Sequence, residues 1–128
     1  MSSNEIRKNA VENYIESYNR FDVENMLKDL DENVVFRNIS GGAVNLTTNG
    51  IAEFREQARQ AANLFSQREQ KITALKFGET EVEAEISYSG IVAVDLPDGL
   101  KSGSKIELNG KSTFRFAGDK IVEIDDIS

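Results

Sequence analysis

Glu81-Val82-Glu83-Ala84-Glu85-Ile86-Ser87-Tyr88 alternates polar and apolar residues at every step. A two-residue period of this kind marks an antiparallel strand with one buried and one wet face. Val82, Ala84, Ile86 and Tyr88 share the buried side, and Glu81, Glu83, Glu85 and Ser87 the solvated one. The residues on either side are strand-like too. Ile91 to Leu96 continues the run past Gly90, where a bend or bulge is expected. Leu96-Pro97-Asp98-Gly99 has turn chemistry, because proline presets one dihedral and glycine accepts a positive one. Lys105 to Phe116 and Lys120 to Ile127 are two further strands, joined at Gly118-Asp119, and Lys71 to Phe77 precedes the quoted stretch. The second half of the chain is thus an antiparallel meander.

The first half reads differently. Asn4 to about Asn19 carries Ile6, Ala10, Val11, Tyr14, Ile15 and Tyr18 at three- and four-residue spacing, the pattern of an amphipathic helix, with Ser3 or Asn4 as its cap. Asp22 opens a short second helix through Leu30, broken at Asp31-Glu32-Asn33. Val34 to Ile39 is a strand, Ser40-Gly41-Gly42 a hairpin turn, and Ala43 to Thr48 a short return strand. Gly50 to Phe65 is a third helix, with Ile51, Phe54, Ala58, Ala61, Ala62 and Phe65 on one face and Thr48 or Asn49 as cap. Helices ahead of a meander point to an α+β fold with helices packed on one sheet face, and residues 1–128 read as a single domain.

Composition narrows the chemistry. With no cysteine, thiolate nucleophiles, disulfides and Cys-ligated metals are excluded. With no histidine, Ser-His-Asp and Cys-His catalysis are excluded too, so acid–base work falls to Asp, Glu, Tyr or Lys with a shifted pKa. The net charge of -7 argues against nucleic acid and anionic membranes as partners. No apolar run is long enough to span a membrane, and the polar start Met1-Ser2-Ser3-Asn4-Glu5 lacks the apolar stretch of a secretory signal, so a cytoplasmic protein is expected. Neither a metal nor a cofactor is expected.

The element order, together with Tyr14, Asn19 and Asp22 around the first helix junction, Val34-Val35-Phe36, Gly50-Ile51, Phe114-Arg115-Phe116 and Gly118-Asp119-Lys120-Ile121-Val122, resembles the nuclear-transport-factor-2-like superfamily. Within it, the SnoaL-like and ketosteroid-isomerase-like proteins are most similar. The resemblance implies a cone-shaped α+β roll: three helices in the N-terminal half, packed on a curved, mostly antiparallel sheet. It also implies a homodimer formed through the outer face of the meander. Fold alone does not name a reaction, because this one hosts isomerases, hydrolases, cyclases and carriers.

Carried over residue by residue, the resemblance puts Tyr14 where steroid isomerases have a tyrosine that donates to the developing enolate oxygen. Asn38 falls at the place of their proton-moving aspartate, so that base is absent and ordinary steroid isomerase activity is not expected. Ser112 falls at the place of a second donor. Asp126 best matches the last-strand acid of SnoaL-like cyclases, whose accompanying histidine cannot be present here. The Arg-x-Asp strand step of the related epoxide hydrolases is missing.

The residues themselves leave choices open. Tyr14 is either core or pocket lining, and Tyr18 rim or core. Asn38 shares a strand face with Val34 and Phe36 and is read as pocket-facing. A one-residue change of register exchanges Asp125 and Asp126 between the two faces of the last strand. The expected pocket is lined by Tyr14, Tyr18, Phe36, Asn38, Phe54 and Tyr88, with Ser112, Phe114 and Asp126 on the later strands. Its expected occupant is a small apolar carbonyl compound, and the expected chemistry is proton transfer of the isomerase or cyclase type, with Asp126, Tyr14 and Asn38 as catalytic candidates. The alternative is a non-catalytic ligand-binding or dimerisation module of the same fold.

Overall fold

The computed structural model describes residues 2–97 and 99–128; Asp98, assigned above to a turn, lies outside the described residues. Helix α1 (Ser3–Asn19) leads into a single turn α2 (Val23–Met26), strands β1 (Leu30–Ser40) and β2 (Ala43–Asn49), and helix α3 (Ile51–Ala62). Strands β3 (Phe65–Phe77), β4 (Glu81–Val92), β5 (Lys105–Ala117) and β6 (Lys120–Ile127) complete the chain. The six strands form one sheet in the order β2-β1-β6-β5-β4-β3. All pairings are antiparallel except β1 with β6, which is parallel and lies inside the sheet. This is the expected α+β roll.

Each strand that alternates in sequence alternates in burial. Val82, Ala84 and Ile86 are buried beneath the helices, together with Phe114, Phe116, Ile121 and Ile124. From α1 they meet Val11, Tyr14 and Ile15, and from α3 Phe54. Fully burying such a side chain stabilises a fold by roughly 1.5–3 kcal/mol, so this seam is the principal source of stability. Bulges in β2 and β3 interrupt the regular register and help the sheet to curve around the helices.

Several boundaries differ from the sequence reading. The α1 cap is Ser2, whose hydroxyl accepts from the Glu5 amide at 3.2 Å, rather than Ser3 or Asn4. Asp22 does cap α2, accepting from Asn25 N at 3.1 Å, but the helix stops at Met26. Leu30 already belongs to β1, and Asp31-Glu32-Asn33 lies within that strand at a register irregularity instead of breaking the chain. Polar residues at a bulge carry the composition of a turn. The third helix ends at Ala62, and its N-cap is Gly50 with φ 88°, a left-handed backbone that neither Thr48 nor Asn49 has to supply. Gly90 makes no bulge in the β4–β5 ladder. It is glycine because a Cβ there would come within 3.0 Å of the Phe65 ring.

The end of α1 is tied down by an unusual turn. Asp22 N donates to Ser17 O at 2.9 Å and Phe21 N to Tyr18 O at 3.1 Å, the double bond of a Schellman turn. That turn requires a left-handed residue, and here it is Phe21, with φ 60°. A bulky side chain in this conformation costs about 1–2 kcal/mol relative to glycine. Asn19, the last helical residue, closes both ways on strand β3: its Nδ2 donates to Gln70 O at 2.9 Å and its Oδ1 accepts from Gln70 N at 2.7 Å. Because β3 is a sheet edge, Asn19 satisfies backbone groups that would otherwise lack a neighbour.

Candidate functional site

One rung of the sheet crosses all six strands. Leu46 pairs with Asn38, Asn38 with Asp126, Asp126 with Ser112, Ser112 with Ala84, and Ala84 with Leu75. Its middle three members, one each from β1, β6 and β5, are polar and share the helix-covered face. Ser112 Oγ donates to Asp126 Oδ1 at 2.7 Å. Burial pushes the Asp126 carboxyl up from its ordinary 3.8 to about 6, against the Ser112 hydrogen bond and with help from the negative charge of Asp125. Asp126 keeps a part of its surface open, and that surface is cavity wall.

The neighbouring rung points the other way and settles the register. Asp125 lies on the outer face, accepting from Arg37 Nη1 at 2.9 Å and from Arg115 Nη1 at 2.8 Å. Arg37 also reaches Glu123 at 2.9 Å. Partial burial disfavours the Asp125 charge, but the hydrogen bonds from Arg115 and Arg37 outweigh it and hold this carboxyl below 3.8. Two adjacent aspartates are thus driven in opposite directions by their environments.

A cavity of about 220 Å³ lies between the rung and the helices. Its walls include Tyr14, Phe36, Phe54, Asn38, Arg68 and Asp126. A wider space of about 420 Å³ adjoins it, sharing Tyr18, Asn38, Ala61 and Asp126, and continues past Tyr88 and Ser112 to an exposed rim at Leu108 and Ser128. Phe36 and Phe54 meet edge to face with centroids 5.5 Å apart. Phe114 is a correction to the expected lining: it is 0% exposed and stands behind the wall, edge-on to the Tyr14 ring at 5.4 Å. The inner face of β5 is core at this depth, and the smaller Ser112 takes the cavity position.

The Tyr14 hydroxyl makes no hydrogen bond among the described residues, although its ring is buried. Burial pushes its pKa well up, with the charges of Asp126 and Tyr18 adding to this, so it is a neutral donor. The hydroxyls of Tyr18 and Tyr88 share a hydrogen bond at 3.1 Å, and burial raises both. The Asn38 amide donates to Asn45 Oδ1 at 2.8 Å, not to the Gly41-Gly42 turn, which leaves it a second N–H.

One charged wall residue was not anticipated. Arg68 on β3 is only 6% exposed, and its guanidinium lies 3.6 Å above the Tyr18 ring. The signal was faint but present: Arg68, Gln70 and Ile72 alternate onto one strand face. Among the described residues no cluster of acidic side chains could hold a metal ion, and no helix is long and apolar enough to cross a membrane.

The model of the SnoaL-like domain matches residues 11–124. The chain belongs to the SnoaL-like family. The fold of this SnoaL-like chain is also that of solved structures of low identity. A proposed polyketide cyclase from Xanthomonas campestris pv. campestris is 21% identical, over 99% of this chain and 93% of that one, with a TM-score of 0.84. An uncharacterised cystatin-fold protein from Novosphingobium aromaticivorans is 19% identical over 100% and 99%, with a TM-score of 0.75. IdmH, a proposed polyketide cyclase from Streptomyces antibioticus, is 13% identical over 94% and 90%, with a TM-score of 0.78. No curated protein matches the SnoaL-like sequence.

Proposed function

We propose that the protein catalyses proton transfer next to a carbonyl group in a small, largely apolar substrate, with Asp126 as the general base. The observation that carries this reading is the Asp126 carboxyl, lodged in a cavity wall with Ser112 as its only hydrogen-bond partner among the described residues and no cation against it. A carboxyl near pKa 6 is mostly ionised at neutral pH, yet is a stronger base than an ordinary aspartate. In the proposed step, Asp126 removes a proton from the carbon beside the carbonyl. The C–H electron pair forms a C=C bond and the carbonyl π pair moves onto oxygen. The neutral Tyr14 phenol donates to that oxygen, and the spare Asn38 N–H can assist. Return of the proton to another carbon completes an isomerisation. Attack of the carbanion on a second carbonyl forms the C–C bond and moves that carbonyl's π pair onto oxygen, and return of the proton from Asp126 to this alkoxide completes an aldol-type cyclisation. The polyketide cyclase assignments of two structural relatives agree with the latter.

The test is exchange of the α-protons of 2-tetralone in D2O, followed by NMR. The wild type should accelerate exchange, and Asp126→Asn should not. A passive ligand carrier would bind the ketone without accelerating exchange, and that result would replace this reading with the non-catalytic one.

The outer face of the meander is proposed as the surface of a homodimer. Like charges on Glu81, Glu83 and Glu85 would repel across a two-fold axis, but within the chain Glu81 is met by Arg115 at 3.5 Å and Glu83 by Lys111 at 3.3 Å. A monomeric mass by light scattering at micromolar concentration would overturn this.

A further inference from the structure

Arg68 is a buried cation that pairs with no carboxylate among the described residues. Its Nε donates to Tyr18 O at 2.9 Å, where the end of α1 presents carbonyl oxygens and the negative pole of the helix. Its guanidinium is sandwiched by aromatic faces, 3.6 Å from the Tyr18 centroid and 4.5 Å from that of Phe21. These contacts hold the group in place, and the strained Phe21 backbone is what brings the second ring over it. They do not neutralise it. No carboxylate forms an ion pair with Arg68 among the described residues, and its buried Nη2 has no hydrogen-bond partner. Asp126 does not serve: it lines the same cavity, but it accepts from Ser112 and forms no ion pair with Arg68 among the described residues.

Leaving a buried donor unsatisfied is costly, more so when it is charged. A fold that fixes such a group rigidly, with one side facing a cavity, is organised for an acceptor that arrives from outside. A guanidinium fork matches planar oxygen pairs. We infer that the cavity takes a ligand bearing an anionic oxygen group, a carboxylate or an acidic enolate, on an apolar ring skeleton, and that the Arg68 guanidinium at the cavity wall binds that group. The aromatic wall of Phe36 and Phe54 then holds the skeleton, while Asp126 and Tyr14 line the same cavity. The ligand meets both a fixed cation and a proton-transfer group, which sets its orientation. This rests on the cavity being the ligand site, as proposed above, but not on any reaction occurring there.

The test compares two probes of like shape by calorimetric titration: 2-naphthoate, which is anionic, and 2-acetonaphthone, its neutral methyl-ketone counterpart. The wild type should bind naphthoate about tenfold more tightly or better, the contribution of one charge-assisted hydrogen bond. Arg68→Met, which keeps the stem and removes the charge, should lose that preference and still bind the ketone. Arg68→Lys, which keeps the charge without the fork, should retain part of the preference. Retained ketone binding also reports that each variant is folded. Equal affinities in the wild type, or a naphthoate preference that survives in Arg68→Met, would overturn the assignment of Arg68 while leaving the apolar carbonyl site standing. If neither probe binds the wild type, both the assignment and the site fail. If Arg68→Met does not fold, Arg68→Lys decides, since an undiminished preference with the fork gone would refute fork recognition.

Discussion

Replacing Asp126 by asparagine removes a charge that the fold destabilises. In the unfolded chain this carboxyl ionises near 3.8, and in the folded chain burial moves it to about 6. Folding therefore takes up a proton between those values. With an acid whose folded pKa is raised, stability is greatest below pH 3.8, falls as pH rises towards about 6, and is level above it. The difference is about two pH units, or ~3 kcal/mol at about 1.4 kcal/mol per unit. Asparagine has no charge to desolvate, and its Oδ1 can still accept from Ser112 Oγ. Asp126→Asn should thus be more stable than the wild type by about 2–3 kcal/mol at pH 7.5. For a chain of this size that raises Tm by roughly 4 °C per kcal/mol. Urea denaturation of both proteins from pH 3.5 to 8 measures the gap directly, and every other titrating group cancels to first order. The gap should open between pH 4 and 6 and then remain constant. A constant gap over the whole range, or one that opens only below pH 4, would refute a raised Asp126 and with it the proposed base.

Asp125→Asn should act oppositely, destabilising the fold by about 1–2 kcal/mol at pH 7 in chemical denaturation, because Arg37 and Arg115 lose a shared, partly buried acceptor. Its depressed carboxyl contributes stability that is present above 3.8 and lost as pH falls through the folded value, so this variant's deficit should shrink in acid. Ser112→Ala removes the hydrogen bond that holds the Asp126 carboxyl down, and NMR titration should then place its midpoint above that of the wild type. Tyr14→Phe removes a hydroxyl that has no hydrogen-bond partner among the described residues, so stability should change by less than ~0.5 kcal/mol while ketone exchange falls about 100-fold.

The alternation of Glu81 to Tyr88 made the sheet legible, because a strand with one face buried has no freedom to hide its period. The same logic placed Phe36, Asn38 and Ser112 on the inner face. It could not choose between Asp125 and Asp126. That depended on Arg37 and Arg115, which are 78 positions apart and meet only once β1, β6 and β5 are side by side. Leu30 to Asn33 was read as a helix end and break because a bulge and a turn favour the same polar residues. Phe114 and Ser112 share a face, and only packing decides that the phenylalanine fills the core while the serine meets the cavity. Arg68 was missed because an arginine in a polar strand ordinarily marks solvent. Its burial arises from Tyr18 and Phe21, contributed by a helix end some fifty residues earlier.

The parallel pairing of β1 with β6 has a consequence for how the protein is made. β6 is the last of the strands to leave the ribosome, yet it lies between β1 and β5. Until it emerges, the sheet is two separate halves, each with an unpaired edge, and the contact between Asn38 and Asp126 must close a loop of 88 residues. Contacts of such long range slow folding. The halves are joined, and the acid brought to the cavity, by a single late insertion. Folding of the nascent chain and completion of the cavity wall are therefore one event, and a chain stalled before β6 presents two edges open to mispairing with another chain.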